Sequence, residues 1–402
     1  MLPHPFRQAT DAASRALPTL FSLVLLSALS AGLQGCASRS ETPAPTAMPA
    51  PTQAASGIEA QSEPANTRPV PAPALMEPQT VIVDRDSYAQ REDARQLADQ
   101  LAQRFQLDPA WTRSILEQAR FKESVTKLIM PGAPTVAKNW AIYRSRFIDP
   151  IRIKAGVSFW RTHETELLRA QERWGVPASI IAGVIGVETI YGRNTGSYRV
   201  LDALSTLSLD FPKGRSDRSA FFQKELGHFL KLCEEQKLDP TTVLGSYAGA
   251  LGLPQFMPSS VRSFAVDFDG DGQIDLRSSP SDAIGSVARY LAEHGWHRDM
   301  PAYYNVTPPI DSLAQAKLLE PDIVPSFTVT EMQKLGTTLP EEAQNHIGLL
   351  ALVKLQNGEG PPTLIAGTDN FYAITRYNQS SYYALAVIQL GQAVAREAGN
   401  AP

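Results

Sequence analysis

A single carboxylate stands in a long apolar stretch of the chain. Glu188 is the only side chain in the run 177–192 that carries a charge at neutral pH, and it follows Ile185 by three residues. On a helix it would lie on the apolar face. Burial disfavours the charged form of a carboxyl group, so its pKa rises and it can donate a proton near neutral pH. Cleavage of a glycosidic bond requires such an acid. An ion pair with Arg193 or Arg199 is the structural alternative.

The segment 245–260 is rich in Gly and Ala and also carries polar and aromatic side chains. Small residues let a backbone approach a ligand closely. The amide of Gln255 can both donate and accept hydrogen bonds with sugar groups, and aromatic rings such as Phe256 stack on sugars. A ligand groove is one interpretation of this segment, and close packing of helices is the other.

The run 267–275 has the pattern of a calcium-binding loop. Oxygen ligands at loop positions 1, 3, 5 and 9, a glycine at position 6 and a backbone carbonyl at position 7 match that pattern. The ligand positions are Asp267, Asp269, Asp271, Gln273 and Asp275. Hard oxygen ligands without thiols favour Ca²⁺ as a structural ion, with Na⁺ as an alternative ion. Ser278 stands at position 12, where a bidentate glutamate is usual, and a solvated acidic turn is the other interpretation.

Hydrophobic periodicity predicts the elements that carry these residues. Apolar residues at spacings of three and four predict helices over 87–174, and the region 177–300 is also helix-rich. Short β-prone runs predict a small antiparallel sheet within 306–370. These runs are 326–329, 347–355 and 363–365. Helical periodicity returns over 371–397, so we expect this segment to pack back on the site region.

Length and charge limit the classes of function. A chain of 402 residues with 43% hydrophobic content can bury a large core in more than one domain. Its formal net charge is −4 and its cationic residues are interspersed among acidic ones, which argues against nucleic-acid binding. Two cysteines form neither a disulfide framework nor a zinc site. Cys233 is expected on the buried face of a helix, as an inert thiol.

The N-terminal 82 residues have the composition of an export signal and a linker. Two arginines precede an apolar run at 20–33 that is too short for a permanent membrane span. The residues LQGC at 33–36 resemble the lipobox of bacterial lipoproteins. This resemblance implies lipidation of Cys36 and, with Ala37 next, a place on the periplasmic face of a Gram-negative outer membrane. Ordinary secretory cleavage is the alternative. The Pro- and Ala-rich residues 36–82 predict an extended, disordered linker.

Five motifs, taken in order, resemble those of the membrane-bound lytic murein transglycosylase B family. They are GVET at 186–189, LDALSTL at 201–207, QFMPSS at 255–260, DAIGSVA at 282–288 and TRYN at 375–378. The resemblance implies an α+β fold, mainly α, with a lysozyme-like core, an N-terminal helical domain and a small antiparallel β domain. The implied organisation is a signal peptide at 1–35, a linker at 36–82, a helical domain at 83–155, the core with its EF-hand-like loop at 156–305, the β domain at 306–370 and a returning segment at 371–402.

The resemblance also implies a reaction and its residues. The reaction is cleavage of the β-1,4 bond between MurNAc and GlcNAc in peptidoglycan, in which the muramoyl 6-hydroxyl attacks its own anomeric carbon and leaves a 1,6-anhydro end. Glu188 would act first as acid and then as base, with Ser246 as a hydrogen-bond partner nearby. The positions that line the glycan groove in the family correspond to Ser246, Gln255, Phe256, Tyr290, Tyr372, Arg376, Tyr377 and Asn378. Asp282 corresponds to the aspartate that closes the ion loop, and Tyr191 stands where the family often has Trp.

Two other functions remain open at this point. One is a lipid-anchored scaffold that binds peptidoglycan without cleaving it. The other is a lysozyme-type hydrolase, which would need a second carboxylate to activate water, with Asp202 and Asp210 as the candidates nearby in sequence. The expected partners are peptidoglycan strands, the membrane through the lipid anchor, and other cell-wall enzymes. Neither nucleic acid nor an organic cofactor is expected.

Overall fold

The computed structural model describes residues 86–130 and 138–400, and helices dominate them. The helices are α1 (Glu92–Phe105), α2 (Pro109–Leu116), α3 (Glu123–Leu128), α4 (Trp140–Ser145), α5 (Pro150–Thr162), α6 (Glu164–Trp174), α7 (Ala178–Thr189), α8 (Val200–Leu209), α9 (Ser219–Gln236), α10 (Pro258–Phe264), α11 (Pro280–Glu293), α12 (Ser312–Leu319), α13 (Val329–Lys334), α14 (Asp369–Tyr377) and α15 (Ser381–Ala398), with a 3₁₀ turn at Glu341–Ala343. The predicted signal peptide, Cys36 and the linker lie outside the described residues. Within the described ranges, no helix is both long and apolar enough to cross a membrane.

The strands of the described residues form two small antiparallel sheets. They are β1 (Tyr198–Arg199), β2 (Leu244–Gly245), β3 (Tyr303–Asn305), β4 (Ala351–Asn357) and β5 (Gly360–Gly367). β1 pairs with β2, while β5 is the central strand of the other sheet, between β3 and β4. The run 347–355 is a strand only from Ala351, because the chain turns at Gly348, whose φ is 122°. The small antiparallel sheet expected from the sequence is therefore confirmed, with a later start for this strand.

The first β-prone run, 326–329, is not a strand, and this prediction was wrong. It makes one isolated bridge, between Phe327 and Leu350. Thr328 instead caps α13: its hydroxyl accepts a hydrogen bond from the backbone N–H of Glu331 at 3.2 Å, and the Glu331 carboxylate accepts one from the backbone N–H of Thr328 at 2.8 Å. This reciprocal capping box starts a helix where the side chains alone favoured a strand.

Helix α7, which carries Glu188, lies among several other helices. It packs against α5, α6, α11 and α15, and almost all its residues are buried. Two glycines let α7 and α15 approach closely. A Cβ at Gly183 would lie 2.2 Å from the carbonyl oxygen of Val387, and one at Gly391 would lie 1.9 Å from that of Ser179. The C-terminal segment therefore packs directly on the helix that carries the candidate acid.

Contacts cross the limits predicted for the helical, core and β segments. α3 packs on α8, α4 packs on β4, and β3 lies before residue 306 although it pairs with β5. All described residues belong to one compact unit. The helix α9 buries Cys233, as its apolar neighbours predicted.

Candidate active site

Helix α7 brings Glu188 to a loop of small residues and then ends. Ile190 has a left-handed φ of 54°, so the chain leaves the helix directly after Thr189. The hydroxyl of Thr189 donates a hydrogen bond to the carbonyl oxygen of Leu253 at 2.9 Å. This bond holds the C-terminal end of α7 against the loop 245–257, which belongs to the segment 245–260 that the sequence indicated as a ligand groove.

The carboxyl group of Glu188 is shielded from water, although the residue as a whole is partly exposed. Tyr383 donates a hydrogen bond from its hydroxyl to Oε1 of Glu188 at 2.6 Å. Desolvation raises the pKa of Glu188 to about 7, and the bond from Tyr383 opposes this rise because it stabilises the charged form. Arg199 pairs with Asp202 at 3.6 Å, and among the described residues no ion pair joins Glu188 to Arg193. The structural alternative for Glu188 therefore finds no support.

Aromatic rings continue from Tyr383 along the site. The ring of Tyr377 stacks on that of Tyr383, with centroids 6.2 Å apart, and lies 4.8 Å from Tyr290 and 5.7 Å from Phe256. Burial first and the nearby Glu188 second raise the pKa of Tyr377 and of Tyr383 well above the usual tyrosine value. Both hydroxyls therefore stay protonated donors at neutral pH. The structure brings together three residues named from the resemblance, Phe256, Tyr290 and Tyr377.

The polar residues of the loop 245–257 hold the loop itself. The hydroxyl oxygen of Ser246 accepts hydrogen bonds from two backbone N–H groups of the loop, at 3.0 and 3.3 Å. Gln255 has a φ of 51°, and its side-chain amide donates to two backbone carbonyl oxygens, at 2.9 and 3.2 Å. Among the described residues, no hydrogen bond joins Ser246 to Glu188. Both residues shape the loop beside the acid, and their contact with a sugar stays a prediction.

Helix α14 and the residue after it supply the remaining positions named from the resemblance. The guanidinium of Arg376 lies 5.5 Å from the ring centroid of Tyr372 and donates to its hydroxyl at 3.3 Å. Tyr290 donates from its hydroxyl to the backbone carbonyl of Arg376 at 2.8 Å, which ties α11 to α14. The side-chain oxygen of Asn378 is buried and has no hydrogen-bond partner among the described residues. A buried unpaired acceptor is costly, and the contact of Asn378 with a sugar stays a prediction.

Two tyrosines close to Glu188 were missed by the sequence analysis. Tyr383 lies on α15, 195 residues further along the chain. Tyr143 lies on α4, and burial together with the charge of Glu188 raises its pKa. The sequence signal for Tyr383 was its place in the apolar periodicity of the C-terminal helix, where a buried tyrosine needs a hydrogen-bond partner. Tyr191, which stands where the family often has Trp, packs into the helical core and not beside Glu188. Its ring lies 5.1 Å from that of Phe159.

Both aspartates considered as a second catalytic carboxylate make structural contacts. Asp202 is buried on α8 and accepts a hydrogen bond from the backbone N–H of Arg120 at 2.9 Å. Asp210 accepts two hydrogen bonds from the guanidinium of Arg91, at 2.7 and 2.8 Å. These bonds join the end and the start of α8 to the N-terminal helices. Both carboxylates are therefore engaged in structural hydrogen bonds.

The acidic loop between α10 and α11 gathers three carboxylates. One oxygen from each of Asp267, Asp269 and Asp282 lies within 4.8 Å of the others. Asp282, in the first turn of α11, accepts hydrogen bonds from two backbone N–H groups of the loop, at 2.7 and 2.8 Å, and so closes it. Three hard oxygen donors around one point fit the preference of Ca²⁺.

The other predicted ligands lie on the exposed part of the same loop. The carboxylate of Asp271 accepts a hydrogen bond from the backbone N–H of Gln273 at 2.8 Å. The carboxylate of Asp275 accepts hydrogen bonds from the backbone N–H groups of Arg277 and Ser278, at 2.8 and 3.0 Å. The structure does not bring these side chains to the shared point, and their role as ligands stays a prediction.

Comparison with known proteins agrees with this geometry. A family model for the transglycosylase SLT domain matches residues 89–392. The chain is 40% identical to membrane-bound lytic murein transglycosylase B of Escherichia coli (strain K12) over 331 residues, 80% of this chain and 88% of that protein. It is 38% identical to the solved E. coli lytic transglycosylase Slt35 in complex with calcium, covering 81% of this chain and 100% of that one with a TM-score of 0.69. SltB3 of Pseudomonas aeruginosa, solved in complex with NAG-anhNAM-pentapeptide, is 27% identical and covers 74% of this chain and 78% of that one, with a TM-score of 0.62.

The fold and the site define a lysozyme-like enzyme of the bacterial cell wall. The chain belongs to the transglycosylase SLT domain family of lytic transglycosylases. It is therefore an enzyme, a lyase that cleaves peptidoglycan. The mainly helical, lysozyme-like fold with small antiparallel sheets, expected from the resemblance, is confirmed.

Proposed function

We propose that this enzyme cleaves the β-1,4 bond between MurNAc and GlcNAc and forms 1,6-anhydromuramoyl ends, with Glu188 as acid and then base. The carboxyl group of Glu188, whose pKa is about 7 and to which Tyr383 donates a hydrogen bond, is the observation that carries this proposal. A group whose pKa is near the pH of the reaction serves well both as proton donor and as proton acceptor. One such group suffices when the nucleophile is a hydroxyl of the substrate itself.

The reaction begins with Glu188 in its neutral form. The carboxyl group gives its proton to the glycosidic oxygen while the bond from that oxygen to the muramoyl C1 breaks, and positive charge develops at C1. The resulting carboxylate then takes the proton of the muramoyl C6 hydroxyl as the oxygen of that hydroxyl bonds to C1. The proton thus returns to Glu188, the sugar closes into its 1,6-anhydro form, and no water is consumed.

Tyr383 gives the two carboxyl oxygens of Glu188 different roles. Its hydroxyl donates to Oε1, which leaves Oε2 to exchange the proton with the sugar. A hydrogen bond to the charged form stabilises the carboxylate between the two proton transfers. Tyr377 stacks on Tyr383 and adds to the burial of this part of the site. Tyr383 is therefore the residue that we add to the positions named from the family.

The glycan groove of this proposal is lined by the positions that correspond to the family. The rings of Phe256, Tyr290 and Tyr377 form one continuous group beside the acid, and the buried rings of Phe256 and Tyr290 support the groove wall from behind. The complex of the related SltB3 with NAG-anhNAM-pentapeptide supports an anhydro product in this family.

Mass spectrometry of muropeptides released from purified sacculi tests the reaction. The full chain and its Glu188→Gln variant are compared at equal concentration, and anhydromuramoyl products from the wild type alone are expected. Products with a reducing end would instead indicate a lysozyme-type hydrolase. Binding to sacculi without products from either protein would indicate a scaffold.

We also propose that the loop of Asp267, Asp269 and Asp282 binds Ca²⁺ as a structural ion. Binding to the folded state alone stabilises a protein by about 2.7 kcal/mol when the free ion is a hundredfold above its Kd. Chelation should therefore lower the Tm of the wild type, and added Ca²⁺ should restore it. Asp267→Asn should make the Tm insensitive to Ca²⁺, while Na⁺ at equal ionic strength is the control for the alternative ion. An unchanged Tm after chelation would contradict a bound ion.

The proposed place of the enzyme is the periplasmic face of the outer membrane, through a lipid on Cys36. The related E. coli protein is named as membrane-bound. The described residues contain no helix that could span a membrane. A lipid on Cys36 would attach such a protein to the membrane surface. Fractionation of cells tests this: Cys36→Ser should move the enzyme from the outer-membrane fraction to the soluble fraction, and an unchanged distribution would exclude the anchor.

A further inference from the structure

Arg152, near the start of α5, donates hydrogen bonds to backbone groups of two other parts of the chain. Its Nη1 donates to the carbonyl oxygen of Arg146 at 2.6 Å, and its Nε donates to the carbonyl oxygen of Gly186 at 3.0 Å. Arg146 directly follows α4, and Gly186 lies two residues before Glu188 on α7. A single guanidinium therefore joins the end of α4 to the last turn of the helix that carries the acid.

The guanidinium of Arg152 is held in one place by its surroundings. Its side chain is only 12% exposed, so its charge needs a partner within the protein. The carboxylate of Asp149 accepts a hydrogen bond from Nη1 at 2.7 Å and also caps α5. The guanidinium lies 5.3 Å from the ring centroid of Phe147 as well. The paired carboxylate and the ring therefore keep the N–H groups of Arg152 directed at the two carbonyl oxygens.

The carbonyl group of Gly186 belongs to the end of α7, where the last carbonyls of a helix lack acceptor partners within it. Its oxygen accepts a hydrogen bond from the backbone N–H of Ile190 at 3.2 Å in addition to the bond from Arg152. A cation near the C-terminus of a helix is also favoured by the helix dipole. Arg152 therefore fixes the turn of α7 from which the side chain of Glu188 extends.

The helix at the other end of this link carries a tyrosine that faces the acid. Tyr143 lies on α4, three residues before Arg146. Burial first and the charge of Glu188 second raise the pKa of Tyr143, so its hydroxyl is close enough to feel that charge. The ring of Tyr143 also lies 5.6 Å from that of Tyr382, which directly precedes Tyr383 on α15. The end of α4 therefore covers one side of the acid.

Three tyrosines from three helices face the carboxyl group of Glu188. They are Tyr143 of α4, Tyr377 of α14 and Tyr383 of α15, and the charge of Glu188 raises the pKa of each in addition to burial. Among the described residues, no charged group of α5, α6 or α11 shifts the pKa of Glu188, which burial raises and the bond from Tyr383 lowers. The protonation of the acid thus depends on how completely the surrounding helices exclude water.

We propose that Arg152 is a positioning residue for the acid: by joining the end of α4 to the last turn of α7, it holds Tyr143 against Glu188 and keeps water away from the carboxyl group. This inference rests on the proposed function of Glu188. Arg152 acts only through these two residues. Without it, the end of α4 would loosen and water would reach the carboxyl group, so the pKa of Glu188 would fall and less of the acid would be protonated at neutral pH.

A direct effect of its charge on the acid is the other role open to Arg152, and the two roles predict opposite changes. Removal of a nearby cation raises the pKa of a carboxyl group, whereas access of water to a buried carboxyl group lowers it. The geometry favours positioning. The guanidinium donates to two backbone carbonyls and to Asp149, and among the described residues no hydrogen bond joins it to Glu188.

Arg152→Gln and Arg152→Lys in the full chain test the proposal. The pKa of Glu188 is measured by carbon-13 NMR of labelled glutamate carboxyl groups, with Glu188→Gln to assign the signal, and kcat is measured against pH by release of muropeptides. Both variants should lower the pKa of Glu188 by about one unit, so kcat at pH 8 should fall about tenfold while KM changes by less than about twofold. Lysine keeps the charge, but its compact ammonium does not replace the fork that reaches both carbonyls.

Asp149→Asn is a milder variant, and Arg144→Gln is the matched control. Asparagine still caps α5, but the ion pair that holds Arg152 is lost, so the pKa of Glu188 should shift in the same direction by a smaller amount. Arg144→Gln removes the same charge from α4, where Arg144 donates to Gln389 of α15 and not to α7. It should keep the wild-type pKa of Glu188 and the wild-type pH profile.

An unchanged pKa of Glu188 in folded Arg152→Gln would overturn the proposal and leave Arg152 with a structural role alone. A raised pKa, together with a wild-type value in Arg152→Lys, would overturn it in favour of a direct effect of charge. Should neither Arg152 variant fold, the direction of the shift in Asp149→Asn decides in the same way. If Glu188→Gln is as active as the wild type, the proposed function fails, and the NMR titration still shows whether Arg152 keeps water from that carboxyl group.

Discussion

Among the residues that the structure describes, two glutamates have carboxyl groups that are shielded from water, in two different surroundings. Glu188 lies near the end of α7, beside Tyr383, and Glu225 lies inside α9. Desolvation raises the pKa of both carboxyl groups. The oxygens of Glu225 accept hydrogen bonds from the backbone N–H and the hydroxyl of Ser259, at 2.9 and 2.7 Å, which holds the start of α10. Glu188 accepts its hydrogen bond from Tyr383 at Oε1, and Oε2 has no partner among the described residues.

The difference shows that burial alone does not make a carboxyl group suitable for proton transfer. Both groups have a raised pKa, but the lone pairs of Glu225 serve the N-terminus of a helix, where an acceptor satisfies unpaired N–H groups. Only Glu188, of the two, combines a raised pKa with a carboxyl oxygen that has no partner among the described residues. Loss of the charge should therefore reduce activity at one position and stability at the other.

The largest expected effect is on activity. Glu188→Gln should lower kcat by about 10²- to 10⁴-fold, the usual contribution of a general acid or base. Glu225→Gln should leave the activity of the folded enzyme within about threefold, because this group touches no substrate in the proposed reaction. Release of muropeptides at equal folded concentration measures both. A comparable loss of activity in the two variants would show that Glu188 has no special role in proton transfer.

The next effect concerns stability and pH. The carboxyl group of Glu188 stays protonated up to a pH of about 7 in the folded protein, but ionises at lower pH when the chain unfolds. The folded state therefore holds more protons, and stability falls as the pH rises from the ordinary glutamate range to about 7. Glu188→Gln should abolish the fall in stability that ionisation of Glu188 causes. The variant should therefore have a free energy of unfolding at pH 8 that exceeds the wild-type value by at most about 3 kcal/mol. Urea unfolding at pH 5 and pH 8 measures the change, and a variant that is less stable at pH 8 would contradict it.

Glu225→Gln should have the opposite sign. In the glutamine variant the amide NH₂ would donate to the Ser259 hydroxyl, which has to turn and accept, so two hydrogen bonds to a carboxylate are replaced by weaker neutral ones. The expected cost is about 1–3 kcal/mol of unfolding free energy. Urea unfolding at pH 5 measures it, with Glu293→Gln, an exposed change on α11, as the control. A cost no larger than that of the control would show that Glu225 does not hold α10.

The smallest effect sharpens the role of Tyr383. Its hydrogen bond stabilises the ionised form of Glu188, so Tyr383→Phe should raise the pKa of that carboxyl group further. Activity requires the neutral acid and falls as the pH rises past its pKa, so the alkaline limb of the pH profile should move up by about one unit. The maximal rate should fall by about tenfold because the carboxylate is less stabilised. A limb that moves to lower pH would exclude this role.

Much of the site was predictable because its signals are local. The apolar spacing around Glu188 predicted a shielded acid, and the repeated aspartates from Asp267 onward predicted an ion loop. Both patterns extend over only a few residues. Over that distance helix periodicity or loop geometry alone places the side chains relative to one another. Helices were predicted well for the same reason. The run 326–329 failed because a capping box at Thr328 outweighed its β-prone side chains.

Contacts between distant segments were not predictable from spacing. Tyr383 lies far along the chain from Glu188, and no local pattern shows which hydroxyl of the C-terminal helix meets the acid. Asp202 and Asp210 looked like possible water activators, and only the packing of α8 on the N-terminal helices assigned them to structural bonds. Tyr191 points into the core because the chain turns in a left-handed conformation at the end of α7.

The sequence by itself determined which residues can do chemistry here: an acid on an apolar helix, and oxygen ligands in a tight loop. Residue type and spacing are enough for that, since both act over a few residues. The tertiary structure decided which of these groups is poised to react. A pKa near neutrality and a free carboxyl oxygen depend on how α7 and α15 pack, and desolvation and hydrogen bonding are properties of surroundings that only the folded chain assembles.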